Sequence, residues 1–335
     1  MANPPTIKEI AKRLNLATST VSRALHNHPR IVLRTRMQVQ ALARELQYEP
    51  NRTAIFFQQK KTFTLGIILP ELSEAFFSAA ISGIEDTANK SDYMVLLGQS
   101  HDDTEREKKI THIMKDHRVD GLLVSLAKNT VDYSHFETLQ KYNIPVVFFD
   151  RIPDLTDIHY VACNMESGTL QAVSLLLEKG HRVIGMINGP EELIASRQRT
   201  TGYQQALRKQ RLKYDAMLNV NSDLTREGTR EAMKQLLGNK RKVTAIVAFN
   251  DYVSQDAVQY ALEQGLQIGK DLTFVSYANL PLSSFMAFPP LASVEQYPYL
   301  QGQKATEILL DIINCKQYEF KHVIIDSRLV IGDEK

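Results

Sequence analysis

Cysteine is scarce: the 335 residues hold two, Cys163 and Cys315, far apart and without metal-ligand spacing. That speaks against a disulfide framework and a zinc site, and both side chains read as packing residues. Long apolar runs are missing too. No segment approaches the roughly 20 residues needed to span a bilayer, and the N-terminus lacks the charged-then-apolar pattern of a secretory leader. A cytoplasmic location with no membrane partner is expected. Catalytic signatures are also lacking: there is no Walker-type Gly-rich loop, no Gly-x-Ser-x-Gly, no His-Glu-x-x-His and no Gly-x-Gly-x-x-Gly after the first strand. His101, His112, His117, His135, His159, His181 and His322 are scattered, and His112 and His117, five apart, do not share a helical face. These absences lead away from an enzyme, a metal site and a cofactor, and towards binding.

What is present divides the chain. A hydrophobic content of 43% over 335 residues supports more than one core and two or three domains. Residues 1–61 hold eleven Lys and Arg against three Asp and Glu, a local net of +8, while the remainder holds 29 against 35, a net of −6. The near-neutral total of +2 conceals a basic head on an acidic body, and such a head wants a polyanion.

The head has its own pattern. Ile7, Ile10, Ala11 and Leu14 fall at helical spacing, and Val21, Ala24 and Leu25 resume it after Asn15-Leu16. Two short helices with a tight turn follow, Asn15 sitting where the chain reverses because Asn tolerates left-handed backbone. Opposite the apolar face of the second helix lie Thr18, Ser19, Ser22 and Arg23, short hydroxyls and a guanidinium suited to base edges and phosphates in a major groove.

Residues Thr6 to Leu25 and Tyr48 to Ala54 resemble the DNA-binding head of the LacI (lactose-repressor) family. The resemblance implies that Thr6, Thr18, Ser19, Thr20, Ser22, Arg23, His26, Asn51, Arg52 and Phe57 contact DNA. It also implies that residues 51–61 form a hinge helix inserting an apolar wedge, here Phe57 where the family usually has Leu, into the minor groove. Three positions depart from the pattern. Ala17 replaces the Ser that caps the recognition helix, with Thr18 available as cap one position later; Asn15 replaces the Gly of the turn; Leu33 replaces the Ser before the third helix, although Thr35-Arg36 match.

From residue 63 short β-rich apolar runs alternate with helical stretches. The runs are Phe63 to Pro70, Met94 to Gly98, Gly121 to Leu126 and Pro145 to Asp150, then Arg182 to Asn188, Met217 to Asn221, Thr244 to Asn250 and Leu272 to Tyr277. The expected fold is α/β: an N-terminal all-α helix-turn-helix head, then a two-lobed body of parallel doubly wound sheets, similar to the periplasmic-binding-protein fold. Expected boundaries are 1–50 for the head, 51–61 for the hinge and 62–335 for the effector-binding and dimerisation body. Tyr160 to Asn164 and Ala292 to Gln296 read as crossings between lobes of about 62–161 plus 292–318 and 162–291 plus 319–335.

Ligands of open α/β sheets bind beyond the carboxyl ends of strands. Glu71 to Glu74, Phe76, Phe77, Ser125, Asp150, Arg151, Asn250 and Asp251 lie there. In Ser196 to Tyr203 the family's Arg-x-x-Gly-aromatic motif places Arg199 at the effector, and the resemblance adds Asp150, Asn250 and Gln296 as hydrogen-bonding partners. Two further family positions carry unusual residues. Ala278, followed by Asn279, stands where sugar-responsive members have a carboxylate, and Leu224 stands where an aromatic often stacks on the ligand; Phe76 and Phe77 can then supply the aromatic surface, with burial in the core of the first helix as the other reading, sooner for one of the pair than for both. Asn250 and Asp251 have helix capping as their other reading.

The resemblance implies a transcriptional regulator, usually a repressor, whose affinity for a pseudo-palindromic double-stranded operator is set by a small molecule such as a sugar or sugar derivative bound between the lobes. The chain ends soon after its last strand, so a homodimer rather than a tetramer is expected. The alternative is a two-lobed sugar-binding protein without a regulatory role; it shares the body but has no use for the basic head.

Overall fold

The computed structural model describes residues 5–49, 61–315 and 319–332. The chain separates into two compact units, Met1–Thr62 and Phe63–Lys335.

In the first unit three helices, α1 (Ile7–Leu14), α2 (Thr18–Leu25) and α3 (Leu33–Glu45), close over Ile10, Ala11, Val21, Ala24, Val39 and Ala43. Thr6 caps α1 by accepting from the Glu9 amide. The helix stops because Asn15 turns left-handed, at φ 51° and ψ 44°, as its place in the sequence implies. Helix α2 differs from expectation. It begins at Thr18 itself, and Ala17 is the capping residue in extended conformation with no side chain to offer, so Thr18 does not supply the missing cap. Val32 precedes α3 equally without a side-chain cap, and Leu33 is exposed.

The second unit holds two six-stranded sheets. In chain order the strands are β1 (Thr64–Leu69), β2 (Met94–Gln99), β3 (Gly121–Val124), β4 (Val146–Phe149), β5 (His159–Asn164), β6 (Ile184–Asn188), β7 (Asn219–Asn221), β8 (Ala245–Ala248), β9 (Thr273–Tyr277), β10 (Ala292–Glu295), β11 (His322–Asp326) and β12 (Arg328–Ile331). Helices α4 (Ala75–Asn89), α5 (Thr104–Asp116), α6 (Ser134–Gln140), α7 (Met165–Glu178), α8 (Ile194–Lys209), α9 (Arg226–Leu237), α10 (Asp251–Glu263) and α11 (Pro298–Cys315) join them. The first sheet runs β2-β1-β3-β4-β5-β11, all parallel, and the second β7-β6-β8-β9-β10-β12, parallel except that β12 is antiparallel to β10. Strands β1, β3 and β8 are apolar almost throughout because helices cover both faces of a parallel sheet.

Sheet membership corrects the lobe boundaries read from sequence. Strand β10 pairs with β9 and β12, which puts Ala292–Glu295 in the second lobe rather than the first. Strand β11 pairs with β5, so His322–Asp326 lies in the first lobe rather than the second. The chain therefore crosses after β5, after β10 and at Ser327, whose hydroxyl donates to the Asn164 carbonyl at 2.8 Å and ties two crossings together. Helix α11 returns to the first lobe and packs tightly on α4. A Cβ on Gly83 would sit 2.1 Å from the Tyr299 carbonyl oxygen, and one on Gly302 2.2 Å from that of Ala80, so glycine is what lets the helices approach.

Phe76 and Phe77 both follow the core reading, with the Arg151 guanidinium 5.9 Å from the Phe77 ring. They are 8% and 1% exposed, meet edge to face at 5.2 Å, and belong to the first-lobe core with Leu65, Leu69 and Phe149. The start of α4 sits directly over the sheet, and two large apolar rings there are worth more in the core than at a wet cleft.

Candidate effector site and nucleic-acid interface

On the head, the apolar residues of α2 face inward, leaving Thr18, Ser19 and Arg23 exposed and Thr20 and Ser22 half-exposed along one face. Thr6 and His26 are exposed at the ends of α1 and α2, the imidazole Nδ1 of His26 lying 2.8 Å from the Ser22 carbonyl. Asn51, Arg52 and Phe57 lie outside the described residues.

In the body, strand ends bring polar groups from both lobes to one cleft. On the first-lobe side Asp150 follows β4 in left-handed backbone, φ 59°, an uncommon conformation for a residue other than glycine. The Ser125 hydroxyl donates to its carboxylate at 3.3 Å. Next to it Arg151 donates from Nη1 to Asp102 at 2.5 Å, and Asp102 also accepts from the Lys128 amide at 3.0 Å.

On the second-lobe side Arg199 projects from α8 and is 3% exposed. Its guanidinium lies between two rings, 3.8 Å from the centroid of Phe249 and 4.3 Å from that of Tyr277. Nη2 approaches the Met165 sulfur at 3.8 Å, while Nε and Nη1 are buried with no partner at hydrogen-bond distance among the described residues, the nearby Tyr277 hydroxyl acting on the guanidinium from further off. Burial pulls its pKa below the usual arginine value, yet a guanidinium remains charged at any working pH. Cation–π contacts hold the flat faces of the group, but an unpartnered buried N–H costs about 1–3 kcal/mol. Such a cost persists in a folded protein where function uses it. Gln296 also turns its Nε2 towards the Met165 sulfur, at 3.8 Å, and is itself 5% exposed. A cavity of about 170 Å³ beside this centre is lined by Asp150, Tyr160, Cys163, Met165, Gln198 and Ile324 among others; Arg199 and Gln296 are not part of its wall but meet it through Met165.

Of the residues expected at the effector, Ser125 and Asp150 are hydrogen-bonded to each other on the first lobe, and Arg199 and Gln296 meet at the Met165 sulfur on the second. Three others are used differently. Asn250 caps α10, accepting from the Val253 amide at 2.8 Å. Leu224, left-handed at φ 68°, packs against the second-lobe core around Leu218 and Met233, because an apolar side chain is better placed there than in a polar cleft. Ala278, at φ 85°, gives its amide to the Val294 carbonyl, and Asn279 donates to Glu295 at 3.0 Å instead of standing in for the missing carboxylate.

Asp251, read from sequence as lying beyond a strand end or capping a helix, does something else. It is 1% exposed, and its carboxylate accepts from the hydroxyls of Ser276, Ser283 (2.6 Å) and Ser293 (3.0 Å) and from the Leu280 amide (2.7 Å). It thereby ties β9, β10 and the Leu280 to Ser283 turn to the start of α10. Neither its place after a strand end nor its place in the first turn of a helix points to this network. Phe249, Tyr277 and Met165 were missed as well, having nothing but apolar bulk to mark them. The lobes touch around this centre: the Ala75 amide donates to the Tyr252 hydroxyl at 3.3 Å, Lys128 Nζ to the Asp223 carbonyl at 2.9 Å, and Arg197 pairs with Asp154 at 2.7 Å.

Charge at Asp150 costs stability. Burial pushes its pKa up, only partly offset by Arg151, Arg199 and the Ser125 hydroxyl. An acid whose pKa rises on folding holds its proton more tightly in the folded state. The penalty is therefore present above the folded pKa and vanishes below the unfolded one. Asp150→Asn is expected to raise the melting temperature of the ligand-free chain by roughly 2–4 °C near pH 7, with the gap closing as pH falls towards about 4. Thermal unfolding followed by circular dichroism checks this, and a lower melting temperature for the variant at pH 7 contradicts it.

Comparison with known proteins gives a consistent result. Residues 6–51 match the family described as bacterial regulatory proteins, lacI family, and residues 62–332 match periplasmic binding proteins and sugar binding domain of LacI family. The HTH-type transcriptional repressor CytR of Escherichia coli K12 is 32% identical over 325 residues, covering 97% of this chain and 93% of the relative. The repressor PurR of Klebsiella pneumoniae is 30% identical over 329 residues, covering 97% and 95%. The solved lac repressor dimer bound to operator and the anti-inducer ONPF shares the fold at a TM-score of 0.81, with 24% identity and 98% of each chain covered. The chain belongs to the LacI family of bacterial transcriptional regulators.

Proposed function

We propose that the chain is a homodimeric repressor that binds a pseudo-palindromic double-stranded operator, under the control of a small molecule, a sugar or sugar derivative, held between its two lobes. The observation that carries this reading is Arg199: a buried guanidinium whose Nε and Nη1 have no partner, in the cleft where Asp150 stands on the other lobe. A hydroxylated ligand would accept from Arg199 and Gln296 and donate to Asp150, so it would bridge the lobes and favour the arrangement in which both are within reach. Coupling needs nothing more than that differential affinity.

The reading is of binding rather than catalysis. Burial pushes the Cys163 thiol in the cavity wall up to about 12, which keeps it neutral and a poor nucleophile. No helix of the described residues is long and apolar enough to cross a membrane, and a regulator acting on DNA works in the cytoplasm. A transport-type sugar-binding protein shares the body but leaves the basic head without a purpose.

On DNA, Thr18, Ser19 and Arg23 would read each half-site from α2. Arg23→Ala is expected to lower affinity for a selected duplex about 10- to 100-fold, the roughly 1–3 kcal/mol of one good base contact. Fluorescence anisotropy at fixed salt measures it; an affinity unchanged by Arg23→Ala and Ser19→Ala together would remove α2 from the interface.

A further inference from the structure

The charges of the cleft do not pair across it. On the first-lobe wall stand three carboxylates, Glu74, Asp102 and Asp150, each acting electrostatically on the others or on Arg151. Their one arginine, Arg151, is committed to Asp102 at 2.5 Å. Asp150 has the Ser125 hydroxyl at 3.3 Å and, among the described residues, no cation in ion-pair contact. Glu74 precedes α4 without capping it, and its half-buried carboxylate has no hydrogen bond or ion pair among the described residues. Across the gap Arg199, 3% exposed, has no carboxylate in ion-pair contact among the described residues, although its charge is felt at Asp150. The lobes close beside Glu74, where the Ala75 amide reaches Tyr252.

A ligand must therefore meet two acceptors without a cation on one side and a cation without an anion on the other. A neutral polyol can donate to Asp150 and Glu74 and accept from Arg199, but it leaves two carboxylates shut in without a cation, which is costly in a closed site. A sugar acid or phosphate suits Arg199 and is repelled by Glu74 and Asp150. Nη2 keeps a second N–H besides the one facing the Met165 sulfur, and Nε and Nη1 add further donors, so the group can meet separate ligand oxygen atoms, as ring hydroxyls supply.

Resting on the effector reading above, we propose that the ligand is a hydroxylated amine of the amino-sugar class, its ammonium seated against Glu74 and Asp150 and its hydroxyl oxygens accepting from Arg199. Glu74 is on this account a specificity residue. It selects the protonated amine over the neutral sugar of the same shape.

The test uses the full chain in thermal-shift and calorimetric titrations near pH 7. The probes are D-glucosamine, D-galactosamine and the β-1,4-linked glucosamine disaccharide, each against its neutral parent and its N-acetylated form. At least one amine is expected to bind about tenfold or more tightly than both counterparts, the effect of one charge-assisted contact. Glu74→Gln is expected to cut that amine's affinity about tenfold without lowering the melting temperature of the ligand-free chain, and Arg199→Ala to abolish binding. The proposal is overturned if no amine binds, if a neutral or N-acetylated probe binds as tightly, or if Glu74→Gln leaves the preference intact. A neutral sugar that binds and is lost in Arg199→Ala would overturn the amine while sustaining a small-molecule effector. A bound amine indifferent to Arg199→Ala would instead sink the cleft reading itself.

Discussion

Arg199→Ala is expected to abolish the response to effector, lowering ligand affinity by at least about a hundredfold while leaving the affinity of the ligand-free protein for DNA within about threefold. The guanidinium is oriented before any ligand arrives, since Phe249 and Tyr277 hold its faces at 3.8 and 4.3 Å. Little side-chain entropy remains to be lost on binding. Two donors then meet ligand oxygens in a dry site, and hydrogen bonds to charged groups are worth roughly 1.5–3 kcal/mol each. Arg199→Lys should not rescue binding, because an ammonium is a compact point charge that neither stacks as a plane nor presents donors in two fixed directions. Calorimetric titration with any ligand that stabilises the wild-type chain checks this. Retention of more than a tenth of the affinity in Arg199→Ala would mean that the ligand sits elsewhere.

The largest loss of stability is expected for Asp251→Ala. Removal of this carboxylate leaves three serine hydroxyls and the Leu280 amide without their acceptor in a region from which water is excluded. Breaking a buried network of this kind costs roughly 3–5 kcal/mol. Asp251→Asn should cost less, since the amide oxygen can keep part of the set while its NH₂ faces the remaining donors. A urea midpoint that falls sharply for the alanine variant, with an intermediate midpoint for asparagine, is the expected pattern. A loss below about 1 kcal/mol for Asp251→Ala would show that the serines find other partners.

The sequence carried the sheet strands well because burial imposes its own alphabet. The strand read from Phe63 to Pro70 is Thr64–Leu69, and that read from Met94 to Gly98 is Met94–Gln99. Asn15 was legible because few residues other than glycine tolerate its conformation. The lobe assignment of β10 and β11 was not, since a parallel strand covered on both faces looks the same in either sheet. Leu224 and Ala278 adopt left-handed backbone with nothing in their chemistry to announce it. Asp251 meets side chains 25, 32 and 42 residues away, a separation that no local pattern encodes. Phe76 and Phe77 were placed in the cleft because they follow a strand end, whereas the core claimed both. Arg199 and Asp150 were found through the family motif; that Arg199 stands unpartnered is a fact of the fold alone.

The central claim is that one molecule couples a DNA-reading head to a ligand-reading cleft. Its most direct test is the affinity of the full chain for a duplex selected from a random library, measured with and without a saturating concentration of a ligand identified by thermal shift. A pseudo-palindromic duplex whose affinity changes about 5- to 150-fold on adding ligand is the predicted result, and the sign of the change distinguishes induction from co-repression. Affinity that is identical at saturating ligand would contradict the account.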